Sequence, residues 1–463
     1  MTATADTDLA FAGPGALAAK VRSGEIAPRE LVELCLRRIE ALDPKLNAFR
    51  VLRAEQALAE ADQVDRSGPL AGVPIAVKDD IEVAGEVASR GTRSLTPPAA
   101  ADAEPIRRLR AAGAIPIGIT NVPELMVFPW TATTANGVTR NPWDPSRTPG
   151  GSSGGSACAV AAGMVPAATG SDGGGSIRIP AASCGLVGMK PTRGRVSGSG
   201  GWLSLSVYGA LARTVADSAL MLDAMHGALP GDPDQAPPFT GRYADAAATP
   251  PPRLRIAMSR KLPPGLLGRV STDQRGAWER TGALLNALGH DVVPRDPAYG
   301  LAQLEFLQTW VRGVYEESLT VPDRAQLEPS TRQMAAFGRY LVPPRRRAAI
   351  LAARSKTTAR ITALWDEFDV LMTPALARTA IPAEGGYGRP APLAIDIAGR
   401  FTPFTPIFNL TGQPAISLPA GVGSDGLPLA VQLVGRAGAE DTLYSLAGQI
   451  EEAQPWAQRR PRP

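Results

Sequence analysis

Two serine-bearing glycine clusters, Gly150-Gly151-Ser152-Ser153-Gly154-Gly155 and Gly173-Gly174-Gly175-Ser176, flank an alanine-rich run. Glycine suits positions where the main chain must come close to a ligand or adopt φ > 0. Hydroxyls beside such backbone suggest amide N–H groups aimed at a substrate with a nucleophile next to them. That is the layout of an oxyanion hole. Such chemistry also needs a group that takes the nucleophile's proton and hands it to the leaving group.

The histidines are poor candidates for that group. There are two, His226 and His290, each at the end of an expected helix, and both read as structural or exposed. Gly150-Gly151-Ser152-Ser153-Gly154 satisfies G-x-S-x-G in form, but that elbow needs a strand directly before the serine. The approach, residues 141–149, carries three prolines and cannot be a central strand. No lysine has a serine three positions before it, so S-x-x-K is absent as well. Lysine itself remains, at Lys20, Lys45, Lys78, Lys190, Lys261 and Lys356. Lys78 closes the apolar run 73–77, which reads as a buried strand. Desolvation there would lower its pKa toward neutrality and make it a base. The competing reading of Lys78 is a surface lysine at a strand end. The competing reading of 173–176 is a phosphate loop, but Ile177-Arg178 follows where a P-loop has lysine and a hydroxyl.

The stretch 150–192 resembles the signature of the amidase signature family, serine amide hydrolases with a Ser–Ser–Lys triad. The resemblance extends upstream to Gly72-Val73-Pro74-Ile75-Ala76-Val77-Lys78-Asp79 and Thr139-Arg140-Asn141-Pro142-Trp143. Downstream it takes in Ala212-Arg213-Thr214-Val215-Ala216-Asp217, Asn409-Leu410-Thr411-Gly412-Gln413-Pro414 and Gln432-Leu433-Val434-Gly435. It implies that Ser176 is the acylated nucleophile. Ser152 is then the bridging serine after a cis peptide bond from Gly151, and Lys78 the base acting through Ser152. It further implies an oxyanion hole from the amides of Gly173, Gly174, Gly175 and Ser176, supported by Ser153, Asp172 and Arg178, with Arg178 partnering Asp172. Gly173 departs from the family, which commonly has threonine or another side chain there. No cofactor and no metal are expected.

The elements that must hold these residues alternate between short apolar runs and helical patterns, which argues α/β. The resemblance implies the amidase-signature fold, a large twisted mixed sheet with helices on both faces. Helices are expected over 28–44, 53–65, 104–112, 153–163, 215–225, 272–288 and 439–452, and strands over 73–77, 115–119, 254–258, 291–293, 370–372, 415–419 and 429–434. The expected organisation is one domain over 1–463, with a catalytic core at 72–217 and a surface linker at 229–252. A partly helical variable segment at 253–375 and a C-terminal return at 400–452 complete it. Residues 121–148 read as a long irregular segment, of the kind that is often functional.

Composition narrows the remaining classes. The chain has 463 residues and a net charge of +4, enough length for a sizeable core and too little charge to suggest nucleic acid. The basic clusters 345–347 and 459–462 are short and lack interleaved aromatics, so they read as solvated surface. Cys35, Cys158 and Cys184 have no paired spacing and read as small buried side chains. The opening residues have neither the basic start nor the apolar core of a secretory signal, and the alanine-rich run 157–169 is too short to span a membrane. The expectation is a cytoplasmic protein with a small-molecule amide as its partner and no nucleic acid or membrane; a homodimer is an open option. Phe128, Trp130, Trp202, Tyr208, Phe401 and Phe404 lie in loop-like stretches near the motifs and fit either an aromatic pocket for an apolar acyl group or the core.

The leading expectation is a stand-alone amidase. Two alternatives stand beside it. One is an acyltransferase or amide synthase using the same acyl-enzyme. The other is an A-type subunit of a glutamine-dependent tRNA amidotransferase. Against the latter, Ile179 replaces the glutamine usual there, and 200–208 lacks the serine-rich glutamine-site segment.

Overall fold

The computed structural model describes residues 8–198 and 200–461. Its centre is an eleven-stranded mixed sheet. Its strands are β1 (Phe49–Leu52), β2 (Pro74–Lys78), β3 (Ile115–Thr120), β6 (Ala167–Asp172), β7 (Val187–Lys190) and β8 (Val207–Ala212), then β9 (Arg255–Met258), β10 (Asp291–Pro294), β11 (Val370–Pro374), β12 (Ala415–Val422) and β13 (Pro428–Gly435). Their order is β1-β3-β2-β6-β8-β7-β12-β13-β11-β9-β10. The remaining two strands, β4 (Ala132–Thr133) and β5 (Gly137–Val138), form a small hairpin inside the long 121–148 segment.

Alternation along single strands explains why both faces are covered. In β2, Ile75 and Val77 enter one apolar core while Ala76 between them enters another. In β11, Val370 and Met372 face the first core and Leu371 a third. Successive side chains of a strand point to opposite faces, so a strand apolar at every position must be covered on both. All five residues of β2, Lys78 included, are buried.

β2 runs parallel to β3 and to β6, with Ile75 opposite Ala167. Their carboxyl ends therefore emerge at one edge, the usual place for a site in such sheets. Lys78 ends β2 and Asp172 ends β6, so two residues ninety-four positions apart in sequence share that edge. β6 is also antiparallel to β8, and β8 to β7, which closes the centre of the sheet.

Several boundaries differ from expectation. The helix Pro28–Leu46 continues through Pro44 because Asn47, in a left-handed conformation, caps it. The sequence reading assigns no element to β7, β8 or the helix Ala391–Phe401, since their short glycine-interrupted patterns lack a clear period. Tyr208 and Phe401 consequently lie in regular elements, not loops, and Trp202 lies in the short turn Gly201–Ser204, where Trp202, Leu203 and Ser204 take left-handed backbone conformations. The 229–252 segment carries the helix Tyr243–Ala247 and anchors itself through fully buried Tyr243, stacked on Phe239 at 4.2 Å. All three cysteines are free and buried. Burial pushes the Cys35 thiol up to about 12, which leaves it unreactive as a thiolate. Among the described residues no helix is long and apolar enough to cross a membrane.

Candidate active site

Lys78 is wholly buried at the end of β2. Its Nζ donates to Ser152 Oγ at 2.8 Å, to Ser171 Oγ at 2.6 Å and to Ser171 O at 3.3 Å. Asp80 Oδ2 stands 3.4 Å away. Desolvation lowers the Lys78 pKa below the ordinary lysine value, and the Asp80 carboxylate works against that shift without cancelling it. The lysine is thus buried, pre-oriented and already in contact with a hydroxyl.

Ser152 reaches it from the loop before the helix Gly154–Ala161, and the Gly151–Ser152 peptide bond is cis. Thr131 Oγ1 donates to Gly150 O at 2.9 Å, which pins the loop from outside. Ser153 N donates to Ser176 O at 3.2 Å, which ties the first glycine cluster to the second. The glycines of the first cluster serve packing as well as substrate access. A Cβ on Gly155 would lie 2.5 Å from Ala48 O and 2.6 Å from Asn121 N.

The second cluster is set by Asp172 and Arg178, both fully buried. Arg178 forks onto the carboxylate, with Nη2–Oδ1 at 2.9 Å and Nε–Oδ2 at 3.0 Å. Asp172 Oδ2 also accepts from Ile177 N at 3.1 Å, and Asn409 Nδ2 donates to Oδ1 at 2.9 Å. Burial alone would raise the Asp172 pKa, but Arg178 and the other donors hold it well below the usual carboxylate range. The remaining Arg178 donors go to Thr405 O, Gln432 Oε1 and Asn409 Oδ1. A fixed, saturated ion pair therefore clamps the 173–176 turn from behind.

That clamp alters the expected donor set. Gly175 N donates to Asp172 Oδ1 at 2.7 Å and is engaged. The amides of Gly173, Gly174 and Ser176 donate no hydrogen bond within the described residues. Gly175 instead makes the turn possible, since it takes φ +125° and a Cβ there would lie 2.3 Å from Thr405 Oγ1.

Ser152 and Ser176 border one small pocket of about 20 Å³ together with Asp80, Ser171, Trp202 and Trp310. Ser176 also borders a cavity of about 370 Å³ with apolar walls. Of the expected pocket aromatics, Phe128 lines the large cavity and Trp202 the small one. Trp130 stacks on Phe128 at 4.8 Å and is buried behind it. Tyr208, Phe401 and Phe404 border neither cavity; Phe401 and Phe404 are core residues.

Four residues at the site escape the sequence reading. Asp80 and Ser171 complete the Lys78 environment, Ser171 Oγ also donating to Asp80 Oδ2. Asp80 lies two positions after the lysine and Ser171 directly before Asp172, so adjacency to the motifs was their only signal. Phe306 and Trp310, one turn apart on the helix Ala302–Ser318, cover the 173–176 turn. Their spacing reveals a helix face but not what it covers. The histidines are occupied elsewhere. His290 Nδ1 accepts from Leu254 N at 3.1 Å and its Nε2 pairs with Gln449 Oε1 at 2.8 Å. His226 meets the ring edges of Phe239 and Tyr243.

Comparison with known proteins agrees in extent. A family model described as Amidase matches residues 30–444. The chain is 47% identical to the protein named "Putative amidase AmiB2" of Mycobacterium tuberculosis (strain ATCC 25618 / H37Rv), over 98% of this chain and 99% of that one. It is 37% identical to a 6-aminohexanoate-cyclic-dimer hydrolase of Pseudomonas sp. (strain NK87), covering 95% and 94% of the two chains. A solved structure of 6-aminohexanoate cyclic dimer hydrolase complexed with substrate superposes with a TM-score of 0.90, at 33% identity, covering 98% of this chain and 99% of that one.

Proposed function

The chain belongs to the amidase signature family and is an amide-hydrolysing enzyme, and from that premise we propose that it works through a seryl acyl-enzyme on Ser176, with Ser152 and Lys78 completing a triad. Neutral Lys78 takes the Ser152 proton while Ser152 takes the proton of Ser176 Oγ. That oxygen attacks the amide carbon, and the carbonyl electrons move onto its oxygen. The amides of Gly173, Gly174 and Ser176 receive the developing charge. The proton then passes through Ser152 to the nitrogen, the C–N bond breaks, and ammonia or an amine departs. Water attacks the Ser176 ester through the same relay, releasing the carboxylic acid and restoring Ser176.

The observation that carries this reading is the 2.8 Å contact between a fully buried lysine and Ser152. A protonated ammonium at that depth is disfavoured, and of the two hydroxyls within its reach Ser171 already donates to Asp80, which leaves Ser152 as the one to deprotonate. Ser176→Ala is expected to abolish turnover of amides, measured as ammonia or amine release, while the melting temperature stays near that of the parent. A fluorophosphonate probe should label Ser176; labelling of another residue would remove it as the nucleophile.

A further inference from the structure

The two cavities meeting at Ser176 differ about eighteenfold in volume, roughly 370 against 20 Å³. Ser176 and Trp310 border both; Ser152 borders the small pocket and not the large cavity. We propose that Trp310 divides the site into a broad apolar acyl side and a leaving-group side with room for one nitrogen, which makes primary carboxamides of bulky apolar acids the substrate class. This rests on the acyl-enzyme reading above, because that reading orients the scissile bond. The carbonyl carbon must lie at Ser176 Oγ, and the nitrogen must lie within reach of Ser152, which returns its proton. The nitrogen therefore points into the small pocket and the acyl chain into the large cavity.

The volumes then decide what fits. A space of about 10–15 Å³ holds one water-sized group. The small pocket thus takes an NH2 group and excludes an N-alkyl or N-aryl substituent. Asp80 borders it, nine-tenths buried, and its Oδ1 is buried with no hydrogen-bond partner among the described residues. An unpaired buried acceptor is costly, and an N–H of the leaving nitrogen would satisfy it. The large cavity falls in the usual range for small-molecule sites and is walled by Phe128, Ile179, Leu266, Phe306, Leu307 and Ile395.

The partition is built into the chain at Gly173, its departure from the family pattern. A Cβ there would stand 3.3 Å from the Trp310 ring, and a Cβ on Gly174 would stand 3.0 Å from Phe306. Bare glycine lets the indole settle on the turn. Phe306 stacks against Trp310 at 5.5 Å and Trp202 lies 4.4 Å from it, so two further rings pack on the indole.

The test uses the full chain and four substrates, namely octanamide, acetamide, N-butyloctanamide and octananilide. Octanamide is expected to exceed each of the other three in kcat/KM by about a hundredfold, the discrimination such a pocket can supply. Trp310→Ala should raise N-butyloctanamide relative to octanamide at least about tenfold by joining the two spaces. Independently of whether that variant folds, Ile395→Trp should cut the octanamide-to-acetamide ratio about tenfold by filling the acyl side. If the parent enzyme cleaves N-butyloctanamide or octananilide as well as octanamide, and Ser176→Ala abolishes that cleavage, the partition is wrong while the acyl-enzyme stands. An unchanged N-butyl-to-primary ratio in folded Trp310→Ala overturns it equally. Cleavage that survives Ser176→Ala overturns the acyl-enzyme reading instead.

Discussion

Lys78 and Lys190 are near-twins by position and opposites by surroundings. Each is the last residue of a short strand buried throughout, β2 and β7, and each is wholly buried itself. Desolvation lowers the pKa of both. Around Lys78 the neighbours are groups that can exchange protons: two serine hydroxyls and a carboxylate with a free oxygen. Among the described residues Lys190 Nζ donates only to the Pro191 carbonyl, at 2.9 Å. The charged groups near it are committed elsewhere, Asp172 to Arg178 and Glu440 to Arg195 and Thr192 N. Burial makes a lysine available as a base, but a hydroxyl within reach is what makes it useful as one.

The sharpest way to break this contrast is to remove the working member. Lys78→Ala is expected to lower kcat/KM by about a thousandfold or more, the scale of losing a positioned proton-transfer group. Circular dichroism should report an unchanged fold. Full activity in that variant would erase the distinction between the two lysines.

Arg178→Met strikes the committed region instead. It leaves the Asp172 charge buried without its partner, a change that typically costs about 3–5 kcal/mol. Denaturant titration should read that loss as a lower unfolding midpoint. Activity should fall with it, because Asp172 also holds the Gly175 amide and hence the turn carrying Ser176.

Asp80→Asn sharpens the contrast through pH. Neutral Lys78 is the competent form, so activity falls as pH drops through its folded pKa. The Asp80 carboxylate raises that pKa against the larger lowering by burial. Removing its charge lets burial act with less opposition, so the acid limb of the kcat/KM profile should move to lower pH. An unmoved limb would mean that Asp80 does not tune the lysine.

Much of this contrast was legible in the sequence, and the missing part was of one kind. The apolar run before Lys78 announced a buried strand, and the spacing of the two serine-bearing glycine clusters announced a turn-rich site. Neither disclosed that β2 and β6 would be neighbours, since pairing between distant strands is set by the whole sheet. Without that pairing, Asp80 and Ser171 are merely residues beside motifs. Lys190 also closes a buried strand, but Gly188 interrupts the short run before it, so the sequence singled out Lys78 and left Lys190 without an element. β7 and β8 were missed because glycines interrupt their patterns; a Cβ on Gly188 or Gly209 would meet neighbouring atoms at 2.6 and 2.5 Å. The pocket aromatics failed similarly. Phe401 and Phe404 looked available in sequence but fill the core, while Phe306 and Trp310 reach the site from a helix that local sequence leaves unplaced.

The smallest effect is expected from Lys190→Met, which tests the idle member of the pair. Methionine is unbranched and one atom shorter, and it removes an amine whose one acceptor among the described residues is the neighbouring carbonyl. Replacing a buried ionisable group by an apolar one of similar volume is often neutral or stabilising. Because burial depresses the Lys190 pKa, the unfolded chain binds more protons than the folded one between the folded value and the ordinary lysine value. The parent's stability therefore rises with pH across that window, and at neutral pH the lysine carries a cost. Methionine removes that cost, so the variant should match or exceed the parent in unfolding midpoint at neutral pH, with the advantage shrinking as pH climbs toward the lysine range. Its kcat should stay within about threefold of the parent, as for a change outside the proton relay. A collapse of kcat with an intact fold would place Lys190 in the chemistry and end the contrast with Lys78.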